Sequence, residues 1–252
     1  MEYASHGLLG VLTPQANTTV EPELAILMPP GHAWINARLM SPEKTIEDRL
    51  RDYFRNFEDA TAQFANAPLT AIAFACTGTS YLAGLAAEDA LINQIRAVRG
   101  IEVITAATAV LDALAVLGAA RIGLVSPYDT ELDEASAGYW SARGLRIIRR
   151  VSAFAASDAF HPIYSLGSDA AQRGIDAIAG EGLEAIVMLG TGMPTLAPIA
   201  RTPIVAGAAL LSCMFCLAWR ASCAMSGTPI SRDSLLSWLH EPRWRARLAG
   251  IG

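Results

Sequence analysis

One cysteine of this chain stands where a thiol could do chemistry. Cys76 follows the apolar run 69–75 and precedes the polar cluster Thr77-Gly78-Thr79-Ser80, just ahead of a predicted helix. Backbone N–H groups at the start of a helix create a positive potential, which lowers the pKa of a neighbouring thiol. The same N–H and hydroxyl groups can bind a carboxylate or an enediolate. We therefore expect Cys76 to act as a nucleophile or a proton donor, and the three residues after it to bind substrate.

A second loop, Gly190-Thr191-Gly192, has a similar composition but no thiol. It follows the uncharged run 185–189, as Cys76 follows an uncharged run. Small residues let a ligand approach backbone N–H groups, so we predict that Gly190, Thr191 and Gly192 bind an anionic substrate. A dinucleotide is a poor fit, because the third glycine of its fingerprint is missing and no acidic residue follows at the ribose spacing. We expect no cofactor.

Two further loops place polar side chains after predicted strands. The loop 14–21 begins with Pro14 and contains Asn17, whose amide can both donate and accept hydrogen bonds, while the loop 127–129 supplies the phenol of Tyr128. Ordinary turn and helix-capping chemistry is the alternative for each loop. His161 lies between a predicted strand and a predicted helix and is a further candidate.

Short apolar runs alternate with amphipathic stretches along the chain, a pattern typical of βα units that build a parallel sheet. The predicted strands are residues 8–13, 69–75, 101–105, 121–126, 146–154, 185–189 and 204–206. The predicted helices are residues 45–65, 83–96, 107–117, 130–143, 169–180 and about 208–224, with one or two short helices in 232–248. The candidate loops then lie after strands, at the sheet edge where α/β proteins bind ligands.

Two strand-and-loop motifs recur at nearly the same spacing. Gly10-Val11-Leu12-Thr13-Pro14 resembles Gly123-Leu124-Val125-Ser126-Pro127, and residues 71–78 resemble 185–192 with one residue of slippage. Chance similarity between apolar strands is the alternative. If the chain is duplicated, two α/β halves face each other with one site between them. We predict an N-terminal half, residues 1–112, completed by C-terminal helices in 207–252, and a C-terminal half, residues 113–206.

The composition is apolar enough to raise the question of a membrane protein. Hydrophobic residues make up 52% of the chain and the mean hydropathy is +0.33. The two long uncharged stretches, 60–87 and 202–219, are broken by proline, glycine and polar residues. Parallel strands buried on both faces give the same apolar runs, so we expect no membrane span.

Charge and residue content argue against several other classes of protein. A net charge of −5 without a basic stripe argues against nucleic-acid binding. Lys44 is the only lysine and lies in a polar loop, which argues against Schiff-base chemistry. Cys213-x-x-Cys216 lies in an apolar context, which favours core packing over a metal site. Four cysteines do not suggest a disulfide framework and the N-terminus lacks the pattern of a signal peptide, so we expect a cytoplasmic protein.

At its candidate loops the sequence resembles the aspartate/glutamate racemase superfamily, and more closely its branch of maleate cis–trans isomerases and arylmalonate decarboxylases. The most specific parts of the likeness are Pro14-x-x-Asn17-Thr18-Thr19-x-Glu21, Ala75-Cys76-Thr77-x-Thr79-Ser80, Ser126-Pro127-Tyr128 and the loop at Gly190. The resemblance implies two pseudosymmetric, Rossmann-like (flavodoxin-like) halves with parallel sheets, an active site between them and no cofactor. It also implies that Cys76 is the first catalytic cysteine, that Asn17 binds substrate and that Tyr128 binds a carboxylate. A small mono- or dicarboxylate substrate and a homodimer or homotetramer are expected on the same basis.

The sequence departs from the family pattern at the second catalytic cysteine, where it has Gly190. A two-base racemase needs an acid and a base on opposite faces of one carbon, so this glycine argues against amino-acid racemisation. In an isomerase, the Cys76 thiolate would add to the alkene of a cis-enedioate and be eliminated after rotation. In a decarboxylase, Cys76 would protonate the enediolate that a malonate-type acid leaves when it loses CO₂.

Asn17 favours the isomerase, which is our expectation from the sequence, whereas the single thiol favours the decarboxylase. Decarboxylases of this branch keep the other cysteine, so the resemblance implies proton delivery to the opposite face. A non-catalytic carboxylate-binding protein is the third alternative.

Overall fold

The computed structural model describes residues 1–156, 161–180 and 182–251, which form two β-sheets. The strands of the first sheet are β1 (Gly7–Pro14), β2 (His32–Leu39), β3 (Ala71–Phe74) and β4 (Glu102–Thr105). Those of the second sheet are β5 (Arg121–Ser126), β6 (Arg146–Ser152), β7 (Ala185–Met188), β8 (Ile204–Val205) and β9 (Ala208–Ser212). The first sheet has the order β2-β1-β3-β4 and is parallel throughout. The second has the order β6-β5-β7-β9-β8 and is parallel except for β8.

The two sheets repeat one arrangement. Strand β1 lies between β2 and β3, and β5 lies between β6 and β7 in the same way. The strands whose sequences resemble each other, β1 with β5 and β3 with β7, therefore occupy equivalent places. The predicted fold class, mixed α/β with two pseudosymmetric and mostly parallel sheets, is confirmed. Because β3 and β7 are buried along their whole length, their sequences are continuously apolar.

Helices connect and cover the strands. They are α1 (Val20–Leu27), α2 (Ile46–Arg55), α3 (Phe57–Thr61), α4 (Thr77–Ala83), α5 (Leu85–Arg99), α6 (Ala106–Leu117), α7 (Thr130–Ala142), α8 (Ser168–Ile178), α9 (Leu196–Arg201), α10 (Cys213–Ser226), α11 (Arg232–His240) and α12 (Pro242–Ala249). Two short 3₁₀ segments, Ala62–Phe64 and Pro162–Ser165, complete the assignment. Within the described ranges no helix is long and apolar enough to cross a membrane.

Several elements differ from the sequence-based expectation, among them the helices α1 and α9, which were not predicted. Strand β2 was not predicted, because it is an edge strand whose mostly accessible side chains give no apolar run. The predicted helix 45–65 ends at Asn56, which caps α2 and precedes the separate helix α3. The predicted helix 83–96 corresponds to α5, while α4 starts earlier, directly after Cys76. The segment 208–212, predicted as helix, is strand β9.

The error at β9 also moves a predicted boundary. Strand β9 pairs with β7, so the second sheet extends beyond residue 206, where we had ended the C-terminal half. Apolar runs of this length do not distinguish a buried strand from a buried helix. Ser212 marks the change, since its side chain accepts a hydrogen bond from the Phe215 N–H (3.2 Å) and caps α10.

The chain crosses between the halves at α10, which packs against α6 and against β1, β3 and β4 of the first sheet. A buried polar cluster joins the halves on another side. There the carboxylate of Glu88 on α5 accepts hydrogen bonds from Thr105, from Tyr139 and from Arg143 of α7 (3.0 Å). These contacts join α5 and the end of β4 in the first half to the C-terminal part of α7 in the second half.

Candidate active site

One cavity lies between the two halves at the carboxyl ends of β1, β3, β5 and β7. From the first half it is lined by Pro14, Gln15, Ala16, Asn17, Ile46, Arg49, Leu50, Tyr53, Cys76, Thr77 and Gly78. From the second half it is lined by Tyr128, Leu132, His161, Ile163, Tyr164, Thr191 and Gly192. The structure thus brings together all the predicted site residues except Thr79 and Gly190, which lie directly behind the lining residues.

Cys76 is the residue before α4, in extended conformation, and its side chain is buried in the cavity wall. Burial raises the pKa of its thiol to about 11, against the opposing hydrogen bonds of the Thr79 and Gly78 backbone N–H groups. Our expectation of a lowered pKa was wrong, because desolvation of the thiolate outweighs the helix N-terminus. Without a ligand, Cys76 is a protonated thiol at neutral pH.

Thr79 supports the Cys76 loop and does not line the cavity. Its hydroxyl donates to the carbonyl oxygen of Cys76 (2.7 Å), and the residue is fully buried. Thr79 therefore fixes the backbone beneath the thiol, while Thr77 and Gly78 reach the cavity surface.

A pair of hydroxyl groups joins the halves inside the cavity. The Thr77 hydroxyl and the Tyr128 phenol are 2.9 Å apart, and either can be the donor. Burial raises the pKa of Tyr128 well above its usual range, so the phenol keeps its proton. A protonated phenol beside a hydroxyl is a suitable donor pair for a carboxylate or an enediolate.

The amide of Asn17 is already engaged on both sides. Its Oδ1 accepts from the backbone N–H groups of Thr19 (2.8 Å) and Val20 (3.1 Å), which starts α1. Its Nδ2 donates to the carbonyl oxygen (3.2 Å) and hydroxyl (3.3 Å) of Thr191 in the other half. Asn17 thus lines the cavity as a bridge between two loops.

Three more hydrogen bonds connect the loop 190–195 to the first half. Thr191 Oγ1 donates to the Ala75 carbonyl (2.8 Å), and Thr19 Oγ1 donates to the Gly192 carbonyl (2.7 Å). The backbone N–H of Thr195 donates to Glu23 Oε1 on α1 (2.8 Å). Burial raises the pKa of Glu23 to about 7, and among the described residues its Oε2 has no hydrogen-bond partner.

Position 190 accepts only glycine without rearrangement of its neighbours. Its φ is +81°, and a Cβ there would lie 2.6 Å from Ile163 Cδ1 and 3.2 Å from the Tyr128 hydroxyl. Its backbone N–H hydrogen-bonds the thiol of Cys213, whose pKa burial raises to about 12. The N–H for which we predicted an anion-binding role thus contacts the first residue of α10 in the structure.

One face of α2 contributes cavity residues that sequence reasoning missed. Ile46, Arg49, Leu50 and Tyr53 share the spacing i, i+3, i+4, i+7, which places them on one side of a helix. That periodicity was visible in the sequence, but nothing in it indicated that the face points at the loops of β1 and β3. The guanidinium of Arg49 also donates to the Glu43 carbonyl through Nε (3.1 Å) and Nη2 (2.5 Å).

His161, which directly precedes the 3₁₀ segment Pro162–Ser165, lines the cavity from the second half. Its ring lies against that of Tyr164, with centroids 5.1 Å apart, and burial lowers its pKa to about 4. Its Nδ1 is buried and has no hydrogen-bond partner among the described residues. The histidine that the sequence left as a lesser candidate is thus a neutral, cavity-lining imidazole.

Solved structures share this fold over nearly the whole chain. The maleate isomerase Iso of Pseudomonas putida S16 matches with a TM-score of 0.77 and 18% identity, covering 90% of this chain and 99% of that chain. A cysteine-to-serine variant of Nocardia farcinica maleate cis–trans isomerase, with a covalently bound succinylcysteine intermediate, has a TM-score of 0.76 and 20% identity (91% and 98% covered). At these identities the matches establish the fold.

A decarboxylase is among the similar structures as well. A variant of arylmalonate decarboxylase in a liganded form, with one glycine changed to cysteine and one cysteine changed to serine, has a TM-score of 0.74 and 19% identity (88% and 93% covered). No curated protein sequence matches significantly. The sequence pattern of the arylmalonate decarboxylase family, by contrast, matches residues 9–221. The chain therefore belongs to the arylmalonate decarboxylase family.

Proposed function

We propose that the protein is a cofactor-independent decarboxylase of malonate-type acids in which Cys76 protonates the enediolate intermediate. The observation that carries the proposal is a protonated thiol in a cavity with aliphatic walls. Cys76 is the one cysteine among the lining residues, and Ile46, Leu50, Leu132 and Ile163 surround the same space. A general acid must hold its proton before it acts, which a thiol with a pKa of about 11 does.

In this reaction the bond between Cα and one carboxylate breaks, and its electron pair passes through Cα into the remaining carboxylate as CO₂ leaves. An apolar wall around the leaving carboxylate favours that step, since it solvates the charged carboxylate poorly and the neutral CO₂ well. The hydroxyl pair of Thr77 and Tyr128 is suited to hold the enediolate. Cys76 then gives its proton to Cα from the side of the first half, and the thiolate regains a proton from water.

The contacts of Asn17 weaken the isomerase that the sequence favoured. That expectation assigned substrate binding to the Asn17 side chain. In the structure its Oδ1 and its Nδ2 are both hydrogen-bonded to the protein. An isomerase also needs a thiolate, and burial disfavours one here.

The maleate isomerase reaction is the second candidate, because the backbone N–H groups of Gly78 and Thr79 approach the Cys76 sulfur and favour its thiolate. The succinylcysteine described for the Nocardia enzyme is the adduct that forms when a thiolate adds to maleate and the resulting carbanion takes up a proton. In that case a bound substrate would have to lower the thiol pKa by several units.

Two substrates separate the candidates. Incubation with 2-methyl-2-phenylmalonate in D₂O should release CO₂ and leave one deuteron at Cα of the product. Incubation with maleate should leave it unchanged. Formation of fumarate, together with intact malonate, would reverse the assignment. Binding of both acids without turnover would instead favour a carboxylate-binding protein.

A further inference from the structure

The imidazole of His161 lines the cavity but neither gives nor takes the proton that Cys76 transfers in the proposed decarboxylation. Its Nδ1 is buried and without a partner among the described residues, although such a group ordinarily finds one. An unsatisfied buried nitrogen is unfavourable, so a ligand that completes it gains binding energy.

The 3₁₀ segment Pro162–Ser165, which directly follows His161, lies beside Tyr128 and the loop 190–192. Ile163 Cδ1 and the Tyr128 hydroxyl both lie within 3.2 Å of the point where a Cβ of Gly190 would be. Tyr164 approaches Gly192 in the same way, 2.7 Å from the corresponding point. His161 is two residues before Ile163 and its ring lies against that of Tyr164, which puts the imidazole in the same part of the cavity wall as Tyr128, the candidate carboxylate-binding residue.

The electrostatic surroundings of His161 leave it neutral in the empty cavity. The titratable and charged groups that line the cavity with it are Arg49, Tyr53, Cys76, Tyr128 and Tyr164. Among the charged groups of the described residues, Asp129 favours protonation of the imidazole, but burial dominates and lowers its pKa to about 4. The Asp129 carboxylate is itself occupied, since it accepts the Leu132 N–H (3.1 Å) and caps α7.

We propose that His161 takes up a proton when a carboxylate binds beside Tyr128, and that the resulting imidazolium stabilises the enediolate as CO₂ leaves. A carboxylate supplies both the missing hydrogen-bond partner and a negative charge that favours the protonated ring. The negative charge on this group grows in the transition state, so the pairing strengthens as the reaction proceeds. This role rests on the proposed decarboxylation, but the proton uptake does not require turnover.

Calorimetry with phenylacetate, a monocarboxylate with no second carboxylate to lose, tests the proton uptake. Titrations at pH 6 in buffers of different ionisation enthalpy should show uptake of about one proton per site. The Kd should rise by about tenfold per pH unit from pH 5 upward and level off once the pH passes the raised pKa of His161 in the complex. His161→Gln should bind more weakly, with no uptake and a flat pH dependence. His240→Gln, at an exposed site on α11, is the matched control and should behave like wild type.

Equal proton uptake in wild type and His161→Gln, or no binding of phenylacetate by wild type, overturns the proposal. If the variant does not fold, the ¹³C-detected ring signals of the wild-type histidines give a second test. One of them should titrate near pH 4 alone and above pH 7 with phenylacetate, and an unchanged midpoint would contradict the role. Proton uptake without CO₂ release from a malonate would refute the decarboxylase while leaving this role of His161 intact.

In the decarboxylase itself, His161→Gln should lower kcat by about 100-fold, the usual effect of losing one group that stabilises a developing charge. A purely structural role would lower the amount of folded protein without changing how kcat depends on pH. Glutamine cannot take up a proton, so kcat of His161→Gln should not show the pH dependence of wild type. A wild-type pH dependence of kcat in this variant would also contradict the proposal.

Discussion

The buried carboxyl of Glu23 makes stability depend on pH in a way that one substitution should reveal. Burial raises the pKa of Glu23 from 4.5 to about 7, and no charged group offsets that shift. Arg247, the cation of α12 that reaches α1, donates instead to the carbonyl oxygens of Ile26, Leu27 and Met28 at the far end of the helix. Ionisation of Glu23 is therefore easier in the unfolded chain than in the folded protein.

The sign and size of the effect follow from linkage. Below pH 4.5 the carboxyl is protonated in both states and contributes no penalty. Between pH 4.5 and 7 the unfolded chain loses the proton first, so folding becomes less favourable, and above pH 7 the full penalty is about 3 kcal/mol. Between pH 5 and pH 8 the penalty should grow by about 2.5 kcal/mol.

Glu23→Gln keeps an oxygen for the Thr195 N–H and removes the charge. Urea denaturation at pH 5 and pH 8 should show the variant gaining about 2 to 3 kcal/mol relative to wild type at the higher pH. Glu131→Gln, at an exposed position of α7, is the control and should show almost no such pH dependence. Equal differences between Glu23→Gln and wild type at both pH values would refute the claim that Glu23 is buried without a compensating charge.

Three further predictions concern the site itself. Gly190→Ala should lower the free energy of unfolding, measured by urea denaturation, by at least about 1 kcal/mol more than Gly118→Ala does. Both glycines have positive φ, but of the two only Gly190 has neighbours within contact distance of a Cβ. Equal losses would mean that position 190 has room for a side chain. Tyr128→Phe should lower kcat/KM about 100-fold, since it removes one of two paired donors, whereas Tyr3→Phe, at an exposed tyrosine, should have no effect. Between pH 7 and 9, kcat should not rise through thiolate formation, because a thiol with a pKa of about 11 stays protonated there. A tenfold rise of kcat per pH unit would indicate that a thiolate is the nucleophile instead.

Much of the fold could be predicted from the sequence, because buried parallel strands leave a strong local signal. The apolar runs at β3 and β7, with glycine and polar residues after them, located both strands and the loops that carry Cys76 and Thr191. Strand β2 gave no such signal, since its side chains are largely accessible. Strand β9 was hidden because its apolar run continues directly into the buried helix α10.

The candidate site was only partly predictable, because its properties depend on contacts between distant segments. The sequence indicated Cys76 and Tyr128 from their places after strands, and both line the cavity. It could not indicate that the Asn17 amide is occupied by Thr191, which lies in the other half. Nor could it give the protonation state of the thiol, because local sequence shows the helix N-terminus but not the burial that outweighs it.

The stereochemical course of decarboxylation in wild type and in Cys76→Ala tests most directly whether this thiol is the proton donor. Wild type acting on 2-methyl-2-phenylmalonate in D₂O should give one enantiomer of 2-phenylpropanoate with a single deuteron at Cα. In Cys76→Ala the rate should fall at least about 1,000-fold, equivalent to about 4 kcal/mol of barrier, while Cys223→Ala, at a cysteine that does not line the cavity, should match wild type. A Cys76→Ala variant that keeps both the rate and the enantiomeric purity of the product would contradict the account.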